Sequence, residues 1–590
     1  MKTNNLEKIW QIYPLMPEDF KENNKGFNPF ILQLLYNRDI KSSDDLKWFF
    51  NDVEIDFLDP FLFRDMEKAV DLIIFHIKKG NKIMIYGDYD ADGVTSSALL
   101  YDIFKIFKAQ VDFYLPDRVS EGYGLNKGAI DDIKKDNFSL IITVDNGIRG
   151  KEEVLYAKSL GMDIIVTDHH AYPEEINDLP DCLIINPADK SSGYPFRFLA
   201  GVGVAFKLAS ALIQKSKLAD EYKDLLISRS LDLVVIGTIA DMVPLIGENR
   251  LISQEGLKIL NNTKRIGLQE LIKVTGAVNE LNSFNVGFQL GPRLNAASRI
   301  KHANSALNLL ISKDKEEAEK LAQDLNDKNI ERQKITEEVM SLAESQIDIN
   351  NLPEIIIVQD FSDNSWNEGV IGLVAGRLTE KYYRPVLVII KTEEQVNDSD
   401  DQLQNVYKGS GRSIEEFNLV EALEDNKEFL YKYGGHPMAG GFSILSEEQV
   451  DAFSKNIRKM AQNKLAKTSL LPKLKIDCEI SFEDINDELV ESIENMSPFG
   501  QNNPTPKFVS YNLKIIEISK MGFDGQHIKM KFLNHDDRDM KSFWGISFGG
   551  SEKYGNLNVG DNVDVVYNLE FNRFNGRCDT QLKIIDIKIK

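Results

Sequence analysis

A multidomain α/β protein is predicted, with a doubly wound parallel sheet in its first large domain. Three observations predict it. Between residues 82 and 186, five short apolar runs rich in Ile and Val are mostly separated by helix-like stretches. After Pro353, beyond a long charged helix, a second strand–helix–strand pattern begins. From about residue 470 onward, strand-like segments with alternating residues dominate.

In order along the chain, residues 1–60 form an N-terminal segment, mixed and partly helical, with aromatic residues suited to packing on a neighbour. KIMIY (82–86), VDFYL (111–115), LIITV (140–144), DIIVT (163–167) and CLIIN (182–186) read as strands, and SSALLYDIFKIF and KEEVLYAKSLG as helices. Apolar strands alternating with helices indicate a parallel sheet covered on both faces. With the mostly helical stretch from about 200, they make a domain over 61–310. Residues 313–347 contain no Gly or Pro and space their apolar residues helically. A connecting helix about 50 Å long is expected there, within 311–350. EIIIVQ, GVIGLVAGRLTEKYY and PVLVII open a smaller α/β domain over 351–468. Inside it, the polar, acidic stretch 391–407 reads as an exposed hairpin or loop insertion. YNLKIIEIS, HIKMKFL, SFWGISF, NVDVVYNLEF and QLKIIDIKIK predict an all-β barrel over 469–590.

Of the 590 residues, 42% are hydrophobic and 27% charged, which excludes a disordered, collagenous or coiled-coil protein. The balance of 70 basic and 92 acidic residues leaves a net charge of -22. Such a chain is not drawn to phosphate backbones as a whole, so a nucleic-acid site has to be local or assisted by metal. Cys182, Cys478 and Cys578 form no CxxC pair, which points to a reducing compartment. No apolar run reaches the ~18 residues of a membrane span, and the first residues lack a signal-peptide core. A cytoplasmic location without membrane contact is expected. No oligomer signature is visible, so a monomer is expected.

The first chemical signal is Gly87-Asp88-Tyr89-Asp90-Ala91-Asp92-Gly93, directly after a predicted strand and before a predicted helix. In a doubly wound sheet the carboxyl ends of the strands form the ligand crevice. Alone, the motif is either a polar turn whose Asp caps the next helix or a cation site. Two further strands end in Asp145-Asn146-Gly147 and Asp168-His169-His170, and Asp241 follows the apolar run before Met242-Val243-Pro244. The chain has only 7 His, so an adjacent pair at a strand end beside carboxylates favours the cation site. Carboxylates plus imidazole suit Mn²⁺ and accommodate Mg²⁺ less well. Sites of this kind typically hold two divalent ions about 3.5–4 Å apart. No GxSxG or Walker motif occurs, and cation-activated water removes the need for a Ser or Cys nucleophile.

The motifs GDYDADG, VDNG, TDHH and GTIADMVPL, in that order, resemble the DHH phosphoesterase superfamily. Within it, the chain is similar to the bacterial single-strand-specific 5′→3′ DNA exonucleases from about residue 60 to its end. The resemblance implies Asp90, Asp92, Asp145, His169 and Asp241 as principal ligands, with Asp145 bridging. Asp88 and His170 follow as further ligands or supporting residues, His170 alternatively touching the scissile phosphate or leaving group. Tyr86 stands where many members place a His ligand, and Asp88 partly replaces it.

The second α/β domain resembles the DHHA1 substrate-binding domain, through Gly409-Ser410-Gly411-Arg412-Ser413 and Tyr433-Gly434-Gly435-His436-Pro437-Met438-Ala439-Gly440-Gly441. These read as Gly-rich loops that bring backbone N–H groups and Arg412 to a phosphate, or simply as two tight turns. Ser410, Arg412, Gly434, Gly435 and His436 are the implied substrate contacts. Arg118, Arg293 and Arg299 are implied phosphate contacts, each with a surface salt bridge as its alternative. The last domain resembles the family's oligonucleotide-binding (OB) fold. Phe532, Trp544, Phe548 and Phe571 are candidates to stack on bases or to fill the barrel core.

The resemblance implies a metal-dependent exonuclease acting on single-stranded DNA in repair and recombination. It also implies single-strand-binding protein and a RecQ-type helicase as partners. Two other readings share the motifs. A phosphoesterase for short oligonucleotides or cyclic dinucleotides needs neither the β module nor the N-terminal segment. A non-catalytic replication scaffold has no use for a filled set of ligand positions.

Overall fold

In the strands of the first predicted domain, Ile83, Ile85, Tyr86, Leu140, Ile142, Val144, Ile165 and Val166 are all buried. Burial on both faces explains why these strands read as continuous apolar runs rather than alternating ones. The computed structural model describes residues 6–50, 56–118, 120–173, 175–277, 280–300, 302–395, 403–534, 540–574 and 576–590.

The chain divides into two compact units, one of them Ile40–Ile330 with Asn495–Thr505. Its sheet has five strands in the order Gln110–Tyr114, Lys82–Tyr86, Phe138–Val144, Asp163–Thr167, Leu183–Ile185. Every adjacent pair is parallel. The chain leaves Lys82–Tyr86 for one neighbour and later returns to its other side. The loops after Lys82–Tyr86 and Phe138–Val144 therefore diverge at a topological switch point, where such sheets bind ligands. The helices Ala91–Ile106, Gly201–Gln214 and Asp220–Ala240 pack on and around this sheet, and most of their residues are buried. The stretch from about 200 to 310 is helical, as its sequence suggests.

The other unit comprises Met1–Asp39, Glu331–Glu494 and Pro506–Lys590. One sheet in it runs Lys432–His436, Ala439–Ile444, Leu403–Arg412, Val386–Gln395, Ile356–Asp360. Only the last pair is parallel. Val386–Gln395 and Leu403–Arg412 are the arms of the acidic hairpin, and 396–402 lies outside the described residues. Next comes a five-stranded barrel of Phe508–Met521, His527–Asn534, Ser542–Ser547, Arg577–Ile589 and Asn562–Phe574, closed by pairing of its first and last strands. Ile9–Ile12 pairs in parallel with Lys473–Ile476, and Trp10 Nε1 donates to Asp586 Oδ2 at 2.8 Å.

The helix Lys315–Ser345 runs through the point where the units divide. Among the described residues, no helix is long and apolar enough to cross a membrane.

The barrel narrows the choice between core and stacking aromatics. Phe532 is fully buried and belongs to the core, which corrects its candidacy as a stacking residue. Strand alternation turns it inward. Phe548 is exposed, and Trp544 and Phe571 are partly exposed. Lys529 Nζ stands 4.4 Å from the Trp544 ring centre, and the Arg573 guanidinium 5.1 Å from that of Phe571.

Candidate metal centre

The site begins where strand Lys82–Tyr86 gives way to helix Ala91–Ile106. Asp90 caps that helix, its Oδ1 accepting from Asp92 N at 2.9 Å and Gly93 N at 3.1 Å. A Cβ on Gly93 would lie 2.5 Å from the Asp88 carbonyl oxygen, so only glycine lets the loop fold back this closely. Asn295 Oδ1 accepts from Ala91 N at 2.7 Å and holds the loop from the other side. Asp145 follows strand Phe138–Val144 at a φ of 63°, a left-handed conformation that costs about 1–3 kcal/mol in a residue other than glycine. Asp241 ends helix Asp220–Ala240, and Met242 after it is also left-handed, at 59°.

These turns bring the carboxylates and imidazoles together. His169 Nε2 lies 3.1 Å from Asp145 Oδ1, 3.6 Å from Asp241 Oδ2 and 3.9 Å from Asp92 Oδ2. Three groups each gather ligand atoms within 4.8 Å: Asp88, Asp90 and Asp145; Asp92, His169 and Asp241; and Asp145, His169 and His170. Asp145 thus belongs to two groups. Asp92 is anchored on the start of helix Gly201–Gln214, its Oδ2 accepting from Gly201 N at 2.7 Å and its Oδ1 from Val202 N at 2.8 Å. A Cβ on Gly201 would sit 2.6 Å from Asp145 Cβ, so glycine allows that helix end to approach.

The electrostatics without a cation are unfavourable. Burial, then the neighbouring carboxylates, hold Asp88, Asp145 and Asp241 well above the usual carboxylate range. Asp92 is pushed up to about 7 by burial and then by Asp90. Burial pushes His169 down to about 4, so it is neutral and its nitrogen is open to a ligand. Asp88 Oδ1 and Asp145 Oδ1 are buried and accept no hydrogen bond from any described residue. Two donors bonded at right angles to one ion at ~2.1 Å stand about 3 Å apart, close to the Asp145–His169 separation. The residues present therefore fit divalent cations.

Comparison with known proteins agrees with this geometry. Family models match at residues 82–238 (DHH family, N-terminal domain), 354–463 (DHHA1 domain) and 476–586 (RecJ OB domain). The single-stranded-DNA-specific exonuclease RecJ of Bacillus subtilis is 40% identical over 563 residues, 95% of this chain and 68% of that protein. The protein of the same name from Haemophilus influenzae is 31% identical over 582 residues, 95% of this chain and 96% of its own length. The chain belongs to the RecJ family. The crystal structure of RecJ from Thermus thermophilus in complex with Mn²⁺ has a TM-score of 0.80 and 26% identity, covering 98% of this chain and 79% of that one.

Among the residues the RecJ resemblance implies for substrate, Arg118 stands beside the Asp88–Asp92 loop. Its guanidinium stands 4.9 Å from the Tyr89 ring centre. Arg118 and Arg299 both act electrostatically on Tyr89, whose hydroxyl burial pushes up to about 12. Arg293 is committed to the protein, its Nε donating to Asn326 Oδ1 at 3.1 Å and its Nη1 to the Gln289 carbonyl at 2.8 Å.

The two Gly-rich segments of the other unit need a correction: the first is strand, and the second is a β-hairpin in which only Pro437 and Met438 form a tight turn. Gly409–Arg412 lies within strand Leu403–Arg412, and Tyr433–His436 within Lys432–His436. Packing explains the glycines. A Cβ would come within 2.0 Å of Phe442 at Gly409 and within 2.7 Å of Leu419 at Gly411. Ser410 and Arg412 alternate onto the opposite face, close to Gly372 of helix Glu368–Tyr382. Gly434, Gly435 and His436 are exposed.

Two residues of the centre escaped the assignment of roles. Asp168, within the TDHH motif, holds His170 rather than joining a ligand group: its Oδ1 lies 2.8 Å from His170 Nδ1. Burial opposes charge on both, but their pairing prevails, so Asp168 is lowered and His170 raised. Tyr123 OH donates to the Asp145 carbonyl at 3.0 Å and stands 3.0 Å from His170 Nδ1. A tyrosine between two glycines on an irregular segment carries no chemical signature in sequence.

Proposed function

We propose that this chain is a divalent-metal-dependent exonuclease that hydrolyses phosphodiester bonds of single-stranded DNA from the 5′ end, in DNA repair and recombination. The observation that carries the chemistry is the convergence of Asp92, Asp145, His169 and Asp241, with Asp88 and Asp90 beside them and two buried carboxylate oxygens accepting no hydrogen bond. Membership of the RecJ family supports the substrate.

Two divalent ions, Mn²⁺ by preference, fit the donor set. Asp88, Asp90 and Asp145 would hold one, and Asp92, His169 and Asp241 the other, with Asp145, whose Oδ1 lies 3.1 Å from His169 Nε2, as the ligand they would share. Bound cations supply Lewis-acid stabilisation of the phosphoryl oxygens and lower the pKa of water. The chain's own residues do the rest. Gly201 and Val202 fix the Asp92 carboxylate by their N–H groups. Asp168 holds His170 Nδ1, which leaves the opposite ring nitrogen to donate a proton to the scissile phosphate or the departing oxygen. Ser410 and Arg412 recognise the terminal 5′-phosphate, for which a guanidinium fork is suited.

The protein works as a cytoplasmic monomer, with single-strand-binding protein and a RecQ-type helicase as partners. The test is digestion of long single strands and of dinucleotides with Mn²⁺ or EDTA, using 5′ and 3′ labels. Mn²⁺-dependent release of nucleotides from the 5′ end of long strands supports the reading. Cleavage confined to dinucleotides refutes it.

A further inference from the structure

Beside the metal centre, the helix that delivers Asp241 borders a cavity of about 440 Å³. Ile239, Ala240 and Met242, the residues flanking Asp241, form one wall. Phe284 and Phe288 form another, and Phe499, Gln501 and Thr505 a third. All of them belong to the unit that holds the centre.

Three features set this cavity apart from an ordinary surface depression. Phe284 and Phe288 are 60% and 69% exposed, and their rings stack with centroids 4.8 Å apart and planes 26° apart. Large aromatic rings left side by side in water mark a binding surface. Phe288 sits on a π-helical turn, Val286–Leu290, a rare form found frequently at functional sites. Met242, 72% exposed, is left-handed immediately after a ligand. The wall is held from within: Ser283 Oγ donates to the Phe499 carbonyl at 2.6 Å, and Leu245 N to the Gln501 carbonyl at 2.8 Å.

Among the described residues, no charged one lines the cavity. Phosphate is therefore not what it recognises, and an acidic or basic peptide would find no counter-charge. Aromatic rings with Asn282, Gln501 and Thr505 at the edge match a neutral, flat, hydrogen-bonding ligand. A nucleobase is such a ligand, and the wall's continuity with Asp241 places it next to a scissile linkage.

We propose that this cavity is a base-stacking cleft, in which unstacked nucleobases adjoining the scissile phosphate extend the Phe284–Phe288 stack. The proposal rests on the exonuclease reading above and deepens it. Stacking accepts any base, which suits an enzyme that must degrade every sequence. Phe284 and Phe288 are positioning residues, acting through the seating of the strand.

The experiment uses the full-length protein and oligonucleotides carrying 2-aminopurine, or an abasic residue, at each of the first positions from the 5′ end. Wild-type turnover of unmodified strands, measured first, tests the exonuclease reading separately. With that activity present, 2-aminopurine fluorescence should be quenched on binding in EDTA at one or two positions. Phe284→Ala/Phe288→Ala should abolish that quench and weaken kcat/KM on the order of ten- to a hundredfold, with the melting temperature unchanged. Phe288→Trp should restore both, and Phe288→Leu should not. The abasic substitution should cost wild type at those positions and the double variant little. Equal rescue by Leu, or a quench untouched in the double variant, would overturn the proposal and leave the cavity to another occupant, such as an apolar protein segment.

Discussion

Replacing Asp145 separates the chemistry of the centre from its stability. Its Oδ1 is buried and accepts no hydrogen bond, and Asp92, Asp90, Asp88 and Asp241 all raise its pKa. In the absence of cation this side chain is a liability. Like charges about 4 Å apart repel by up to roughly 4 kcal/mol at the effective dielectric of a protein surface, before protonation relieves them. Asp145→Asn removes one such charge and keeps the volume, so the metal-free variant should melt at or above the wild-type temperature. Wild type should gain in addition from Mn²⁺. A ligand at a hundred times its dissociation constant adds about 2.7 kcal/mol per site, and the variant should lose most of that gain. With Asp145 shared by two ions as proposed above, turnover should fall by about a thousandfold or more, several kcal/mol of transition-state stabilisation being forfeited. Thermal melts with EDTA and with Mn²⁺, paired with single-strand digestion, measure all three quantities. A variant that melts well below wild type in EDTA, yet keeps its Mn²⁺-dependent shift and turnover, would refute the assignment of Asp145 as a shared ligand.

Arg412→Ala should lower kcat/KM on 5′-phosphorylated strands roughly ten- to a hundredfold and leave 5′-hydroxyl strands nearly unchanged, with Lys rescuing in part; an equal loss on both would make Arg412 a general or structural contact. With a net charge of -22, binding of blunt duplex in EDTA at moderate salt should be far weaker than that of single strands, as competition titrations can measure. Asp586 is held below the usual carboxylate range: burial opposes its charge, but hydrogen bonds from Lys553 and Trp10 outweigh it. Its folded pKa is therefore depressed, so the stabilisation, about 1.5–3 kcal/mol, is present above the unfolded value near 4 and lost as pH falls through the folded one. Asp586→Asn should lower the barrel's melting temperature at pH 7 and flatten its dependence on acid.

The parts of this protein legible in sequence are those where one local pattern suffices. A run such as LIITV, buried on both faces, announces a central strand, and an Asp immediately after it falls at the sheet's carboxyl edge. Sequence alone therefore groups Asp88–Asp92, Asp145 and His169 at one edge of the sheet. Asp241 carries no strand signal, for it caps a helix, and only its motif marks it in the sequence. What depended on contacts between distant residues was less legible. Gly409 and Gly411 look like a flexible loop because glycine is the residue of loops; Phe442 and Leu419, which exclude any Cβ there, come from elsewhere in the chain. Ile9–Ile12 pairs with a strand more than four hundred residues away, so no neighbouring turn could reveal it.

The same distinction explains the tasks of Asp168 and His170. Sequence places them side by side among ligands, and their identity suits metal. The structure gives Asp168 three partners in the protein instead, Ile148 N, His169 N and His170 N, besides the imidazole. A carboxylate so thoroughly satisfied gains little from a cation, whereas Asp145 Oδ1, with no hydrogen bond, gains much. Residue type alone therefore does not separate the two carboxylates: Asp168 is taken up by the protein, while Asp145 Oδ1 is left for a cation. In the function proposed above, the carboxylate behind His170 suits it to a proton-bearing role, and His169, neutral and facing three carboxylates, is the imidazole offered to a metal.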